Sequence, residues 1–146
     1  VGWDRAKIDE GTAILDEALR LRAPGPYQVQ AAISALHADA ATADATDWPQ
    51  IAALYDTLAA MIPSPVVAVN RAVAVAMARG PAAGLGLLLQ IEGVDGFYPY
   101  HVARADLLRR THQRDAAAEA YQRAIELCQN GAERAHLQRR LDSLKP

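Results

Sequence analysis

Apolar residues recur at three- and four-residue intervals along most of the chain, interrupted by prolines, glycines and short polar runs. That spacing marks one face of a helix, and the interruptions divide the sequence into about eight helical segments. The first runs from about Asp4 to Arg22, with Ile8, Gly11, Thr12, Leu15, Ala18 and Leu19 on one face. Ala23-Pro24-Gly25-Pro26 stops it, because proline lacks an amide donor and restricts the residue before it. A second helix opens near Pro26, a residue suited to a first turn. Its larger face is Val29, Ala32, Ile33 and Leu36, and its other side carries Ala31, Ala35 and Ala38. After the polar linker Thr42–Thr46, Thr46 or Asp47 caps a third helix whose stripe is Trp48, Ile51, Ala52, Tyr55, Leu58 and Ile62. Pro63-Ser64-Pro65 breaks the chain again. Val66–Ala78 is rich in valine, a strand former. Its thirteen or so residues and the stripe Val66, Val69, Val73, Ala76 instead favour a helix.

Gly80 and Pro81 separate this segment from a fifth helix carrying Leu85, Leu88 and Leu89, and Gly93–Gly96 forms a turn. Helices are expected over about Tyr98–Thr111, Asp115–Cys128 and Gly131–Leu144, the last opened by Asn130 and Glu133 as a variant capping box. In that last helix Leu137, Leu141 and Leu144 share one side, while Arg134, Arg139 and Arg140 lie elsewhere, as in a terminal cap. Short connections make successive helices antiparallel hairpins. Gly80 and His112 are 32 residues apart, each at the turn inside a helix pair. That period is close to the roughly 34 residues of tetratricopeptide repeats. Ala117-x3-Tyr121 with Ala124 matches the second-helix signature of that repeat, and Trp48, Ile51, Ala52 and Tyr55 match the first. The expected fold is therefore all-α: one domain over residues 1–146, built as a right-handed tetratricopeptide-like array of helical hairpins.

Composition strengthens the helical reading. Of 146 residues, 32 are alanine and only 16 are valine or isoleucine. Alanine is the best helix former, and small residues on several faces let a helix pack on both sides. Apolar content excludes a disordered chain, and no apolar run is long enough to span a bilayer. The lone Cys128 excludes an internal disulfide, fits a reducing, cytoplasmic setting, and falls at the end of an apolar face, where a packed thiol is expected. Val1 stands where a start methionine is usual, which reads as a piece of a longer protein. Residues 1–100 carry 6 basic and 11 acidic side chains, and residues 101–146 carry 9 and 6. The basic end could face an acidic protein surface or nucleic acid, or be a solvated, salt-bridged helix pair.

No sequence signature of catalysis is present: no phosphate-binding glycine loop, no G-x-S-x-G, no H-E-x-x-H. One cysteine and four scattered histidines do not suggest a metal site, and no enzyme activity and no cofactor are expected. Several polar residues interrupt apolar helices: Asn70 and Arg71 in the valine segment, Tyr100, His101, Arg104 and Asp106 later, and His37 at the end of the second helix. In a helical-repeat array the first helices of successive hairpins line a peptide-binding face. There Asn70, Arg71, Tyr100, His101 and Arg104, supported by His37, Asp47, Trp48 and Tyr55, could hold an extended segment or an acidic tail. The alternative is structural: Asn70 and Arg71 tie loops through backbone carbonyls, Arg104 and Asp106 form an internal salt bridge, and Trp48 and Tyr55 belong to the core.

The runs Gly25-Pro26-Tyr27-Gln28 with Gln30-Ala31-Ala32-Ile33, Thr46-Asp47-Trp48 with Gln50-Ile51 and Leu54-Tyr55, and Ser64-Pro65-Val66-Val67 with Asn70-Arg71-Ala72-Val73-Ala74 form a specific combination. Tyr100-His101, Ala105-Asp106-Leu107-Leu108-Arg109-Arg110 and Asn130 with Ala132-Glu133-Arg134 extend it. Together they resemble the C-terminal extension of a group of bacterial extracytoplasmic-function sigma factors of RNA polymerase, over nearly the whole chain. The resemblance implies an all-α tetratricopeptide-like domain in a transcription initiation factor. It also implies an auxiliary, non-catalytic role, since the family's promoter-binding regions precede this extension. The implied partners are those sigma regions, core RNA polymerase or a regulatory protein, with no direct DNA contact by this domain. The sequence departs from the family at Thr111-His112-Gln113, where a Leu-Gly-Arg turn is common, so His112 must make the turn without glycine's freedom.

Overall fold

The computed structural model describes residues 25–39 and 46–145. Among the described residues there are seven helices and no strand: α1 (Pro26–Asp39), α2 (Trp48–Met61), α3 (Pro65–Arg79), α4 (Pro81–Leu88), α5 (Tyr98–Arg110), α6 (Arg114–Leu127) and α7 (Gly131–Ser143). The expected helix over Asp4–Arg22 and most of the Thr42–Thr46 linker lie outside the described residues. The chain divides into two compact units, Val1–Ala74 and Val75–Pro146, with the boundary inside α3. The valine-rich segment is helical. Its buried residues include Val69, Ala72 and Ala76, spaced three and four apart, which is helical periodicity.

In the first unit α1 packs on α2. Val29 and Ile51 are fully buried, with Ala32, Ile33, Ala35, Leu54 and Leu58 beside them in the core. Burying each of the larger side chains contributes about 1.5–3 kcal/mol. Ala38, expected to pack against a neighbour, is exposed instead. Asp47, not Thr46, caps α2: its carboxylate accepts the amide of Gln50 at 3.2 Å. Pro49 sits in the first turn, where a missing amide costs nothing. The α3 stripe also differs from the expected one. Val69 and Ala76 are buried, but Val66 and Val73 are exposed, and Val67, Ala72, Ala74 and Val75 supply the remaining buried positions. Valine content alone does not say which arc of a helix finds a neighbour.

In the second unit α4 packs on α5, α5 on α6, and α6 on α7. Ala117, Ala120 and Ala124 of α6 are completely buried, with Ala105, Leu107 and Leu108 of α5 also in the core. The helices run antiparallel, because Tyr98 at the start of α5 meets Cys128 just past the end of α6, 3.7 Å apart. The α5–α6 corner is a Schellman motif: His112 N–H reaches the Arg109 carbonyl at 3.0 Å, and Gln113 N–H the Leu108 carbonyl at 2.9 Å. That geometry puts His112 at φ +62°, where glycine is favoured. Gly80, its counterpart between α3 and α4, lies at φ +107°, a value that strains any side chain. Asn130 caps α7 by accepting the amide of Glu133 at 3.0 Å, the forward half of a capping box. Leu137 anchors α7, Leu141 and Leu144 are half-buried, and Arg134, Arg139 and Arg140 are exposed.

Candidate functional site

The residues singled out in the sequence fall into two groups, one in each unit. His37, Asp47, Trp48, Tyr55, Asn70 and Arg71 belong to the first, and Tyr100, His101 and Arg104 to the second.

In the first unit a cleft of about 290 Å³ is lined by Gln30, Ile33 and Ser34 of α1, Tyr55 and Leu58 of α2, and Val66, Val67 and Asn70 of α3. Local geometry explains the lining. Gln30 and Ser34 are four apart on α1 and so share a face, as do Val66 and Asn70 on α3. The floor is apolar and the rim carries two amides and two hydroxyls, a set that both donates and accepts hydrogen bonds without formal charge. Asn70 is exposed and Tyr55 half-buried. Burial holds the Tyr55 phenol above its ordinary pKa, so its hydroxyl stays protonated near neutrality. Gln30 and Ser34 were not singled out in the sequence; the signal was their four-residue spacing astride Ile33.

Arg71 does not reach a loop carbonyl. Its Nε donates to Asp56 Oδ1 on α2 at 2.6 Å, with both side chains more than a third exposed. An exposed pair of this kind contributes about 0.2–1 kcal/mol and sets the side chain's direction. His37 and Trp48 meet edge to face, ring centroids 5.4 Å apart, which joins the end of α1 to the start of α2. The ring contact interlocks α1 and α2 and the ion pair α2 and α3; neither lines the cleft.

The second group is interior. Tyr100 and His101 are 9% and 5% exposed, with ring centroids 5.0 Å apart in a T-shaped contact. His101 Nε2–H donates to the Asp95 carbonyl at 2.8 Å, and Arg104 Nη2 donates to His101 Nδ1 at 3.3 Å. A guanidinium has no acceptor, so Nδ1 must carry the lone pair and the ring is neutral. Burial pushes the His101 pKa down, with the Arg104 and Arg123 charges acting in the same direction and the Asp95 carbonyl opposing them. Arg123 of α6 donates to the same Asp95 carbonyl at 3.0 Å. Asp95 is thereby fixed to α5 and α6, and the cluster pins the turn before α5. Arg104 does not pair with Asp106. Asp106 instead bonds Arg109 at 2.7 Å and lies 3.7 Å from Arg110, the i+3 and i+4 neighbours that share its face. Cys128 is buried, as expected for a packed thiol.

Among the described residues no group of three or more His, Cys, Asp or Glu side chains could hold a metal ion. No helix among them is long and apolar enough to cross a membrane.

Over 143 residues the chain is 45% identical to an uncharacterized protein of Rhizobium meliloti (strain 1021), a match that covers 97% of this chain and 34% of that protein. The chain thus spans about a third of the length of this relative. No family model and no solved structure matches the chain.

Proposed function

We propose that this chain is a non-catalytic interaction domain, the C-terminal tetratricopeptide-like extension of an extracytoplasmic-function sigma factor. The observation that carries the reading is where the resembling motifs fall. Gly25-Pro26-Tyr27-Gln28 opens α1, Thr46-Asp47-Trp48 opens α2, and Ser64-Pro65-Val66-Val67 opens α3. The same three motifs then supply Gln30, Ile33, Tyr55, Val66, Val67 and Asn70 to a single cleft. A cleft with an apolar floor and an uncharged hydrogen-bonding rim suits an extended peptide, whose backbone presents alternating donors and acceptors. On this reading the occupant is a segment of the sigma regions or of core polymerase. The length of the Rhizobium relative outside the matched stretch leaves room for such regions.

The contact surface proposed here centres on Asn70 and Tyr55 with Gln30 and Ser34. Tyr100, His101 and Arg104 act as a structural cluster, Asp47, His37 and Trp48 orient α1 and α2, and Arg71 ties α3 to α2. The test is a binding assay between this chain and the sigma regions of its complete protein, in the presence and absence of core polymerase. Two lost hydrogen bonds in the Gln30→Ala/Asn70→Ala variant are expected to weaken binding by about tenfold. The variant should keep the wild-type helical circular-dichroism spectrum. Absence of binding by the unmodified chain to either target would overturn the sigma-factor reading.

A further inference from the structure

The antiparallel stacking of the second unit gathers particular helix ends together. Arg110, closing α5, lies 3.9 Å from Met77 near the end of α3, so the ends of α3 and α5 adjoin. The α5–α6 corner is tight, which adds the start of α6. Because α7 packs on α6 and follows it through a three-residue connection, it turns back along α6, which directs its end towards the same side.

Charge at this end is unbalanced. Arg109 is taken up by Asp106, and Lys145 by Asp142 at 3.7 Å. Left over are Arg79, Arg110, Arg114 and Arg140, all exposed, against the single carboxylate of Asp115. Arg110 shares Asp106 at 3.7 Å. Arg79, Arg114 and Arg140 have no ion-pair partner among the described residues. Helix dipoles account for part of this, since Arg79, Arg110 and Arg140 stand in last turns, where a cation is stabilising. They do not account for Arg114. It is the first residue of α6, at the positive end of the dipole, where a cation is disfavoured. An exposed, unpaired arginine placed against its own helix dipole, at an end where three other helix-terminal arginines gather, adds nothing to folding.

We propose that this end of the second unit docks an acidic protein segment, whose carboxylates pair with Arg79, Arg110, Arg114 and Arg140. Arginine suits the task because its planar fork takes a carboxylate in two parallel hydrogen bonds. A protein segment is favoured over nucleic acid on two grounds. No Trp, Tyr or Phe is among the exposed large hydrophobic residues of this unit, so the broad aromatic platforms on which successive bases stack are missing from its surface. The carboxylates of Asp106, Asp115 and Asp142 are interspersed with the cations. They would repel a continuous phosphate backbone, whereas separate carboxylates can sit between them. The inference does not rest on the sigma-factor reading. That reading concerns the cleft of the first unit, and either site can fail without the other.

The experiment measures anisotropy of a fluorescent peptide of about eight glutamates with the full chain at low ionic strength, where exposed charge pairs are least screened. The R79Q/R114Q/R140Q variant should bind about tenfold more weakly, the sum of three exposed pairs. A Q90E/Q122E/Q129E variant, with the same change in net charge at residues away from this end, should stay within about twofold of the unmodified chain. Equal loss in both variants would reduce the effect to net charge and overturn the proposal, as would no loss in the first. Tighter binding of an equally charged DNA duplex, lost in the same arginine variant, would overturn it in favour of nucleic acid. Circular dichroism of both variants guards against loss of fold.

Discussion

At the scale of single residues the clearest departure from local preference is His112. A histidine at φ +62° bears the steric cost of a side chain in the left-handed region, about 1 kcal/mol, to complete the Schellman corner. His112→Gly removes that cost and regains only part of it as unfolded-chain entropy. The expected outcome is about 0.5–1 kcal/mol of stabilisation, read as a rise of a few degrees in Tm. His112→Ala keeps the side-chain clash and should show no such gain. His101 gives a second expectation. Its folded pKa lies below the ordinary value near 6.5, so below about pH 6.5 the unfolded chain binds the proton more readily than the folded one. Stability is then fully present above pH 6.5 and is lost as the pH falls towards the folded pKa, by at most about 1.4 kcal/mol per pH unit. His101→Gln, which cannot be protonated there, should flatten the Tm profile between pH 7.5 and 5.5. The turn at His112 was legible in the sequence, because its distance from Gly80 marks it. The burial of His101 was not, since a polar residue after Tyr100 reads equally as a groove lining or an interior bond; the Asp95 carbonyl it bonds is six positions away in a loop, and Arg123, which shares that carbonyl, is 22 away.

The helices themselves were the most legible level, because periodicity and punctuation are local. Pro26, Pro65 and Pro81 each open a helix, Asp47 and Asn130 cap two more, and the boundaries fall within about a residue of expectation. Which arc of each helix is buried was less legible. In α3 the exposed Val66 and Val73 and the buried Ala72 and Ala74 reverse what side-chain size suggests. Which arc is buried is a property of the packing and not of the segment, and an interior at native density leaves little room beside a buried alanine. The same crowding sets an expectation for α6, where Ala117, Ala120 and Ala124 are all fully buried. Ala120→Leu forces three extra carbons into that seam and should cost about 1–3 kcal/mol by denaturant titration. The matching change at Ala116 or Ala118, which are only partly buried, should cost less. Sequence also failed to join α2 to α3 through Asp56 and Arg71: the two are fifteen residues apart, and nothing in either segment marks the other as its partner.

At the scale of the whole molecule, charge separates where sequence does. The acidic first hundred residues hold the uncharged cleft, and the basic remainder supplies Arg110, Arg114 and Arg140 to the arginine-rich helix ends, with Arg79 the one contribution from before it. Neither the cleft nor the basic end was visible in one motif, because each is assembled from three or more helices. The residues that the resemblance gathered into motifs proved neighbours in space in the first unit: six of the eight cleft residues fall in those motifs, although only Tyr55 and Asn70 among them read as contacts in the sequence. One feature of the fold carries over into measurement. Cys128 is the molecule's only thiol, 3% exposed, and it sits at the corner where α6 hands over to α7, with its Sγ against the Asn130 carbonyl at 3.2 Å. A disulfide reagent can reach it only when that corner opens. The rate of its modification is therefore a clock for the detachment of α7, obtained without adding a label, and a ligand that clamps the ends of α5, α6 and α7 should slow it.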